Sequence, residues 1–170
     1  PKNFIDIFKR NAGFQDIKLK GLKGTAEEDK KVKELIRNKK TGETKVHHEN
    51  GKIAMVIKIQ KGILKSMIAY DNNEIKRASI TDNETIIYYK SGKKATFFKY
   101  NKSLNLHKQL IQDNSELKGI EFPDEHIGYY ENGRKAFEVD NISKTGRIYH
   151  KDGRLFFEYF GSLDNYKKYD

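Results

Sequence analysis

The sequence contains no cysteine. Disulfides, cysteine-bound zinc and thiol catalysis are therefore excluded together. Proline occurs only twice, as Pro1 and Pro123, and the second marks a break late in the chain. No apolar run approaches the roughly 18 residues that a membrane-crossing helix needs. No charged-then-apolar leader opens the chain either. Together with the missing cysteine this leads us to expect a cytoplasmic protein whose Pro1 follows a lost initiator methionine. There is no Gly-rich phosphate loop, nucleophile elbow or zinc-binding helix motif. The five histidines, His47, His48, His107, His126 and His150, show no ligand spacing. His47 and His48 are adjacent, so a strand would send them to opposite sides. The acidic residues are dispersed and form no evident catalytic pair. The expectation is a protein that is not an enzyme and has no catalytic residues, metal site or cofactor.

What the sequence does contain is a recurring phrase: aromatic, aromatic, polar, polar, Gly, basic. It is clearest at Tyr88-Tyr89-Lys90-Ser91-Gly92-Lys93, Tyr129-Tyr130-Glu131-Asn132-Gly133-Arg134 and Tyr149-His150-Lys151-Asp152-Gly153-Arg154. A looser copy is His47-His48-Glu49-Asn50-Gly51-Lys52, and Ala69 to Glu74 is a degenerate one that puts Asn73 in the Gly slot. His48 and His150 take a position that Tyr holds elsewhere, which marks them as structural stand-ins. Gly51, Asn73 and Gly92 follow at intervals of 22 and 19 residues, Gly133 comes 41 later and Gly153 another 20. The long interval predicts a hidden copy at Leu110 to Ser115, with Asn114 in the Gly slot. Gly and Asn tolerate positive φ at low cost, and Asn-Gly or Asp-Gly between alternating residues is a strong hairpin signal.

The flanking residues favour strands. Lys52 to Ile59, Ala95 to Tyr100, Ala136 to Val139 and Leu155 to Phe160 are rich in β-branched and aromatic residues. A second turn type, Lys61-Gly62 and Lys144 to Arg147, falls between the phrases. Each unit thus reads as two short strands with two turns, and a fixed period of this kind means a repeat architecture. The predicted fold is mainly β: an elongated antiparallel meander of repeated hairpins with one or two short N-terminal helices. Hydrophobic content of 36% and mean hydropathy of −0.87 suit a thin sheet, and 12% aromatic residues argue against disorder.

The first forty residues differ from the rest, dividing the chain into an N-terminal helical cap over 1–40 and a hairpin-repeat domain over 41–170. Thr25-Ala26-Glu27-Glu28 has the form of a capping box. Val32, Leu35 and Ile36 then share one face of a helix predicted over Ala26 to Arg37. A shorter helix is expected from Asn3 to Arg10. Both would close the open end of the sheet. Phe4, Ile7, Phe8, Lys9 and Arg10 could alternatively anchor to a membrane surface.

The net charge is +10 and lysine is spread throughout. The basic residue after each Gly slot is nonetheless periodic: Lys52, Lys93, Arg134 and Arg154. Stacked repeats would bring these into a row, with Tyr88, Tyr89, Tyr129, Tyr130 and Tyr149 beside it. Such a row suits a polyanion, either an anionic lipid surface or nucleic acid held on aromatic platforms. The plainer reading has one Tyr of each pair packing and the other covering the opposite sheet face. Asp113, Glu116, Glu121, Asp124 and Glu125 form an acidic stretch around Lys118, either a partner site or a set of partners for nearby lysines.

The Tyr-Tyr-x-Asn-Gly-Lys/Arg phrase with its alternating strands resembles the bacterial variant of the MORN repeat. Tyr129 to Arg134 is the nearest match, followed by Tyr88 to Lys93 and Tyr149 to Arg154, and the resemblance runs over about residues 42 to 161. It implies an elongated sheet of hairpins acting as a binding scaffold, often an antitoxin in a toxin–antitoxin pair. Eukaryotic relatives are linked to acidic phospholipids, with more glycines per repeat than here. The expected function is therefore binding of another protein, in the manner of an antitoxin or immunity protein. Tyr88, Tyr89, Lys93, Tyr129, Tyr130, Arg134, Tyr149 and Arg154 are the candidate contacts. The alternatives are a scaffold on anionic phospholipid or a nucleic-acid binder, and free sheet edges suggest a homodimer.

Overall fold

A computed structural model describes residues 25–111 and 123–170. Eleven strands form one sheet: β1 (Gly42–His47), β2 (Ile53–Gln60), β3 (Ile63–Tyr70), β4 (Lys76–Thr81), β5 (Glu84–Tyr88), β6 (Lys94–Lys99), β7 (Glu125–Tyr129), β8 (Lys135–Asp140), β9 (Thr145–Tyr149), β10 (Leu155–Phe160) and β11 (Ser162–Lys168). Their order across the sheet is their order in the chain, and every neighbouring pair is antiparallel. This is the predicted meander. Among the described residues two helices accompany it, α1 (Thr25–Arg37) and α2 (Leu106–Ile111). The helix expected at Asn3 to Arg10 lies outside the described residues, as does the side chain of Thr25 in its capping box.

The helix expected at Ala26 to Arg37 is present. It packs against β1 and β2, at the first-strand end of the sheet. Val32 is buried in one cluster with Val46, Met55, Ile57, Ile59, Leu64, Met67, Ala69, Ala78, Ile80 and Leu106. Leu35 and Ile36 pack against that cluster. The Val32, Leu35 and Ile36 stripe needs an apolar surface, which the sheet face offers. Burying side chains such as Ile57, Leu64 or Met67 contributes about 1.5–3 kcal/mol each.

The hidden repeat expected at Leu110 to Ser115 falls mostly outside the described residues. β6 pairs directly with β7, so the 41-residue interval holds one ordinary step plus an insertion between these strands. Leu110 and Ile111 end α2, and Gln112 to Ser115 lie outside the described residues. Within the insertion Tyr100 and Leu106 are buried. The Leu106 N–H donates to Asp82 Oδ1 at 2.9 Å, and Leu64 N–H donates to His107 Nδ1 at 3.2 Å. These bonds seat α2 beside β3 and the β4–β5 turn. Of the acidic stretch, Asp124 takes an N–H from Asn101 at 2.5 Å and Glu125 lies opposite Lys99. Asp113, Glu116, Lys118 and Glu121 lie outside the described residues.

Candidate functional site: one turn edge and two unlike sheet faces

All five copies of the phrase form the same turn. His48, Asp71, Tyr89, Tyr130 and His150 each receive the N–H three residues on and donate their own N–H to the carbonyl four residues on. In four of them the polar residue before the Gly slot, Asn50, Ser91, Asn132 or Asp152, accepts the N–H two residues ahead. Gly51, Gly92, Gly133 and Gly153 hold φ between 85° and 93°, where an L side chain is strained. In the degenerate copy this slot belongs to Glu74, at φ 60°, and not to Asn73. The sequence alignment was one residue out there, because Asp71 replaces the second aromatic and itself accepts the N–H groups of Asn73 and Ile75.

The second aromatic of each phrase ties one repeat to the next. The Tyr89 hydroxyl donates to Tyr129 O at 2.6 Å, and the Tyr130 hydroxyl donates to Tyr149 O at 2.6 Å. His48 Nε2 meets Tyr70 O at 3.0 Å. Where Asp71 stands in that slot, Arg77 takes over: its Nε donates to Tyr88 O at 2.9 Å, and its Nη1 lies 3.8 Å from Asp71 Oδ2. A register shift precedes each turn, so the strand register skips Ala54, Arg77, Ala95 and Ala136 beside the strut. Ala thus accompanies a large strut and Arg a small one. In the last copy Phe156 fills the position and takes the His150 ring edge-on at 5.0 Å. His150 Nε2 is buried there without a hydrogen-bond partner.

This geometry separates the predicted contact residues. Tyr88, Tyr129 and Tyr149 end their strands and project to one face. Lys76 Nζ sits 4.9 Å over the Tyr88 ring, and the Tyr149 hydroxyl donates to Glu138 Oε1 at 2.5 Å. Tyr89 and Tyr130 reach along the array as struts. Lys93, Arg134 and Arg154 are exposed on the turn edge with Lys52. Arg154 is fastened to Asp152 at 2.7 Å, and Ile75 interrupts the row in the Asp71 copy. The row of cations therefore exists along one edge, but the paired tyrosines do not form one platform beside it.

The register sets two faces. Thr44, Ile57, Met67, Ile80, Thr85, Phe98, His126, Val139, Gly146, Tyr159 and Tyr166 follow one another across the strands. Two residues along, Val46, Met55, Ala69, Ala78, Ile87, Thr96, Gly128, Phe137, Ile148, Phe157 and Lys168 make a parallel row. Alternation puts both rows on the face that α1 and α2 cover. From β1 to β4 they are sealed. From β6 to β11 only Gly128 and Gly146 are buried; the other row members are half-buried or exposed, with Ile148 at 43% and Tyr166 at 55%. Phe98 stacks on His126 at 4.3 Å, His126 meets Phe137 edge-on at 4.9 Å, and Phe157 stacks on Tyr166 at 5.3 Å. Two glycines admit the rings, since a Cβ on Gly128 or Gly146 would stand 2.2 Å from the Phe137 ring or 2.1 Å from the Tyr159 ring. Lys168 is the only charged residue of these two rows. Burial holds the His126 imidazole below its ordinary value.

The intervening row, on the other face, is apolar at Phe97 and Ile127 and then alternates in charge over β8–β11: Glu138, Arg147, Glu158, Lys167. Arg147 lies 3.7 Å from Glu138 and 3.4 Å from Glu158, and Lys135 Nζ donates to Glu138 at 2.8 Å. Burial works to raise the Glu138 carboxyl, but hydrogen bonds from Lys135 and Tyr149 and the nearby cations outweigh it and hold it low. The Tyr149 hydroxyl is raised by burial and by the Glu138 carboxylate. The Tyr169 hydroxyl repeats the arrangement, donating to Glu158 at 2.5 Å. Every carboxylate of this ladder is engaged, so it reads as a self-satisfied surface.

No family model and no curated protein matches this chain. Among solved structures, the crystal structure of the GtfA/B complex bound to UDP and GlcNAc is similar at 12% identity, over 73% of this chain and 24% of that one, with a TM-score of 0.30. A likeness of that size speaks for neither an activity nor a ligand here. Among the described residues no helix is long and apolar enough to cross a membrane.

Proposed function

We propose that this chain is a non-catalytic β-repeat protein of the cytoplasm that acts by binding another protein, in the manner of an antitoxin or immunity protein covering a partner's working surface. The observation that carries this reading is the face of β6–β11, where Phe98, Phe137, Ile148, Phe157, Tyr159 and Tyr166 continue the rows of the core and, among the described residues, have no helix laid over them. An aromatic, nearly uncharged surface on a rigid scaffold is the composition of an interface centre. The resemblance of Tyr129 to Arg134 to the bacterial MORN variant supports the antitoxin form. Inhibition by coverage needs complementary shape and charge and no chemistry.

A second reading rests on the edge cations Lys52, Lys93, Arg134 and Arg154, which suit an anionic phospholipid surface or, less well, nucleic acid. The two separate by salt, because binding of cations to a polyanion falls steeply with ionic strength. Affinity capture from the native lysate, with nuclease, at low and moderate salt is the test. One stoichiometric protein retained at moderate salt supports protein binding. Recovery of lipid or nucleic acid alone, lost as salt rises and lost in Arg134→Glu with Arg154→Glu, contradicts it. The open edge of β11 is where a second copy would pair.

A further inference from the structure

We infer that the face of β6–β11, over which neither described helix lies, receives an amphipathic helix of the partner protein, one with an apolar stripe and an acidic flank. The inference rests on the protein-binding reading and names the element that docks. Helical cover is already the rule on this face. α1 lays Val32, Leu35 and Ile36 on β1 and β2, and α2 lays Leu106 beside β3. Strands lie about 4.8 Å apart, and helices pack 8–10 Å apart. One helix therefore covers about two strands, and the same two rows continue past α2 with room for more. The floor they offer is Phe98, Phe137, Ile148 and Phe157, flat where Gly128 and Gly146 let the rings lie down.

Charge selects the kind of helix. The floor is neutral apart from Lys168, so it accepts an apolar stripe and excludes a charged one. The turns that border it carry exposed Lys90, Lys93, Arg134, Lys151 and Arg154 against Glu131 and Asp152. That rim is cationic and favours acidic residues along the flank of whatever lies on the floor. A partner β-strand is a poorer occupant of this face, because its backbone groups would meet side chains and find no hydrogen bonds.

The test is site-specific photo-crosslinking in the native cell, with the whole chain carrying benzoylphenylalanine at Ile148 on the floor or at Arg147 on the opposite face. Both side chains are exposed, and thermal melting checks that each variant folds. The expected result is a partner crosslink at position 148, at least about tenfold stronger than at 147. Its crosslinked peptide should read as apolar residues at i, i+3, i+4 and i+7 with Asp or Glu beside them. Replacing the acidic residues of that peptide with Lys should reduce the crosslink about tenfold. A crosslink from 148 to a second copy, or to residues 1–24 of the same chain, overturns the inference, as does a strand-patterned or basic peptide. A partner caught only at 147 overturns it while leaving protein binding intact. No protein crosslink at either position, with lipid or nucleic acid alone recovered in the capture experiment, defeats both.

Discussion

The two halves of the sheet use the same turns, yet they bury very different amounts. In β1–β4 the rows Met55, Ile57, Leu64, Met67, Ala69 and Ile80 lie under α1 and α2 and are shut off from water. In β6–β11 the matching positions hold Phe98, Phe137, Val139, Ile148 and Phe157, which keep part of their surface exposed. Covered rows use aliphatic side chains that interdigitate beneath helices. Rows over which no described helix lies mix Val139 and Ile148 with rings, laid over glycine and stacked on one another. The repeat fixes the backbone, and the cover decides whether a face works as a core or as a contact surface.

The largest effect expected from this contrast is in the first half. Leu64→Ala should cost about 2–5 kcal/mol, since the site is closed on all sides and leaves a cavity. Ile148→Ala in the second half should cost about 0.5 kcal/mol or less, as an exposed substitution. Urea unfolding of both variants measures the difference, and equal losses would break the comparison. The turns should not share it. Gly51→Ala and Gly133→Ala both force an L side chain to a φ near 85° and should each lose about 1–2 kcal/mol, in unlike halves of the sheet. A much smaller loss at Gly133 would mean that the second half yields where the first does not. Tyr130→Phe deletes the strut to Tyr149 O and should cost about 0.5–1.5 kcal/mol, read by the same unfolding curves.

The smallest effect is in pH. Burial holds His126 and His107 below their ordinary value. As pH falls the unfolded chain takes up those protons before the folded one does. Stability should therefore drop as pH descends from the ordinary histidine value, about 6.5, and level off below the folded values. Melting temperatures followed downward from neutral pH check this, and His126→Phe should remove the share that belongs to the second half. The Glu138 contribution, from a carboxyl held low, should vanish only at more acid pH, as that group protonates.

Much of this was legible in the sequence, and the exceptions have physical causes. The Asn-Gly and Asp-Gly turns, the strands and α1 could be read because their signals are local. The insertion between β6 and β7 was read as a repeat because its length of about one period hid it among true copies, and six-residue α2 has too few turns for a clear helical stripe. The shift from Asn73 to Glu74 escaped because Glu is a poor candidate for positive φ, and only the hydrogen bonds of Asp71 reveal the frame. One signal was present and unread: Ala54, Ala95 and Ala136 each stand three residues past a turn glycine, leaving room for His48, Tyr89 and Tyr130. Which half would be covered was not legible, since covered and uncovered rows are both apolar and differ only in what the chain lays over them.

The most direct measurement is a paired one on Ile148→Asp, thermal stability alongside partner capture at moderate salt. If the face of β6–β11 is a contact surface, melting should change by no more than a few degrees while the captured partner is lost. A variant that melts far lower, or one that retains its partner in full, would contradict the central claim.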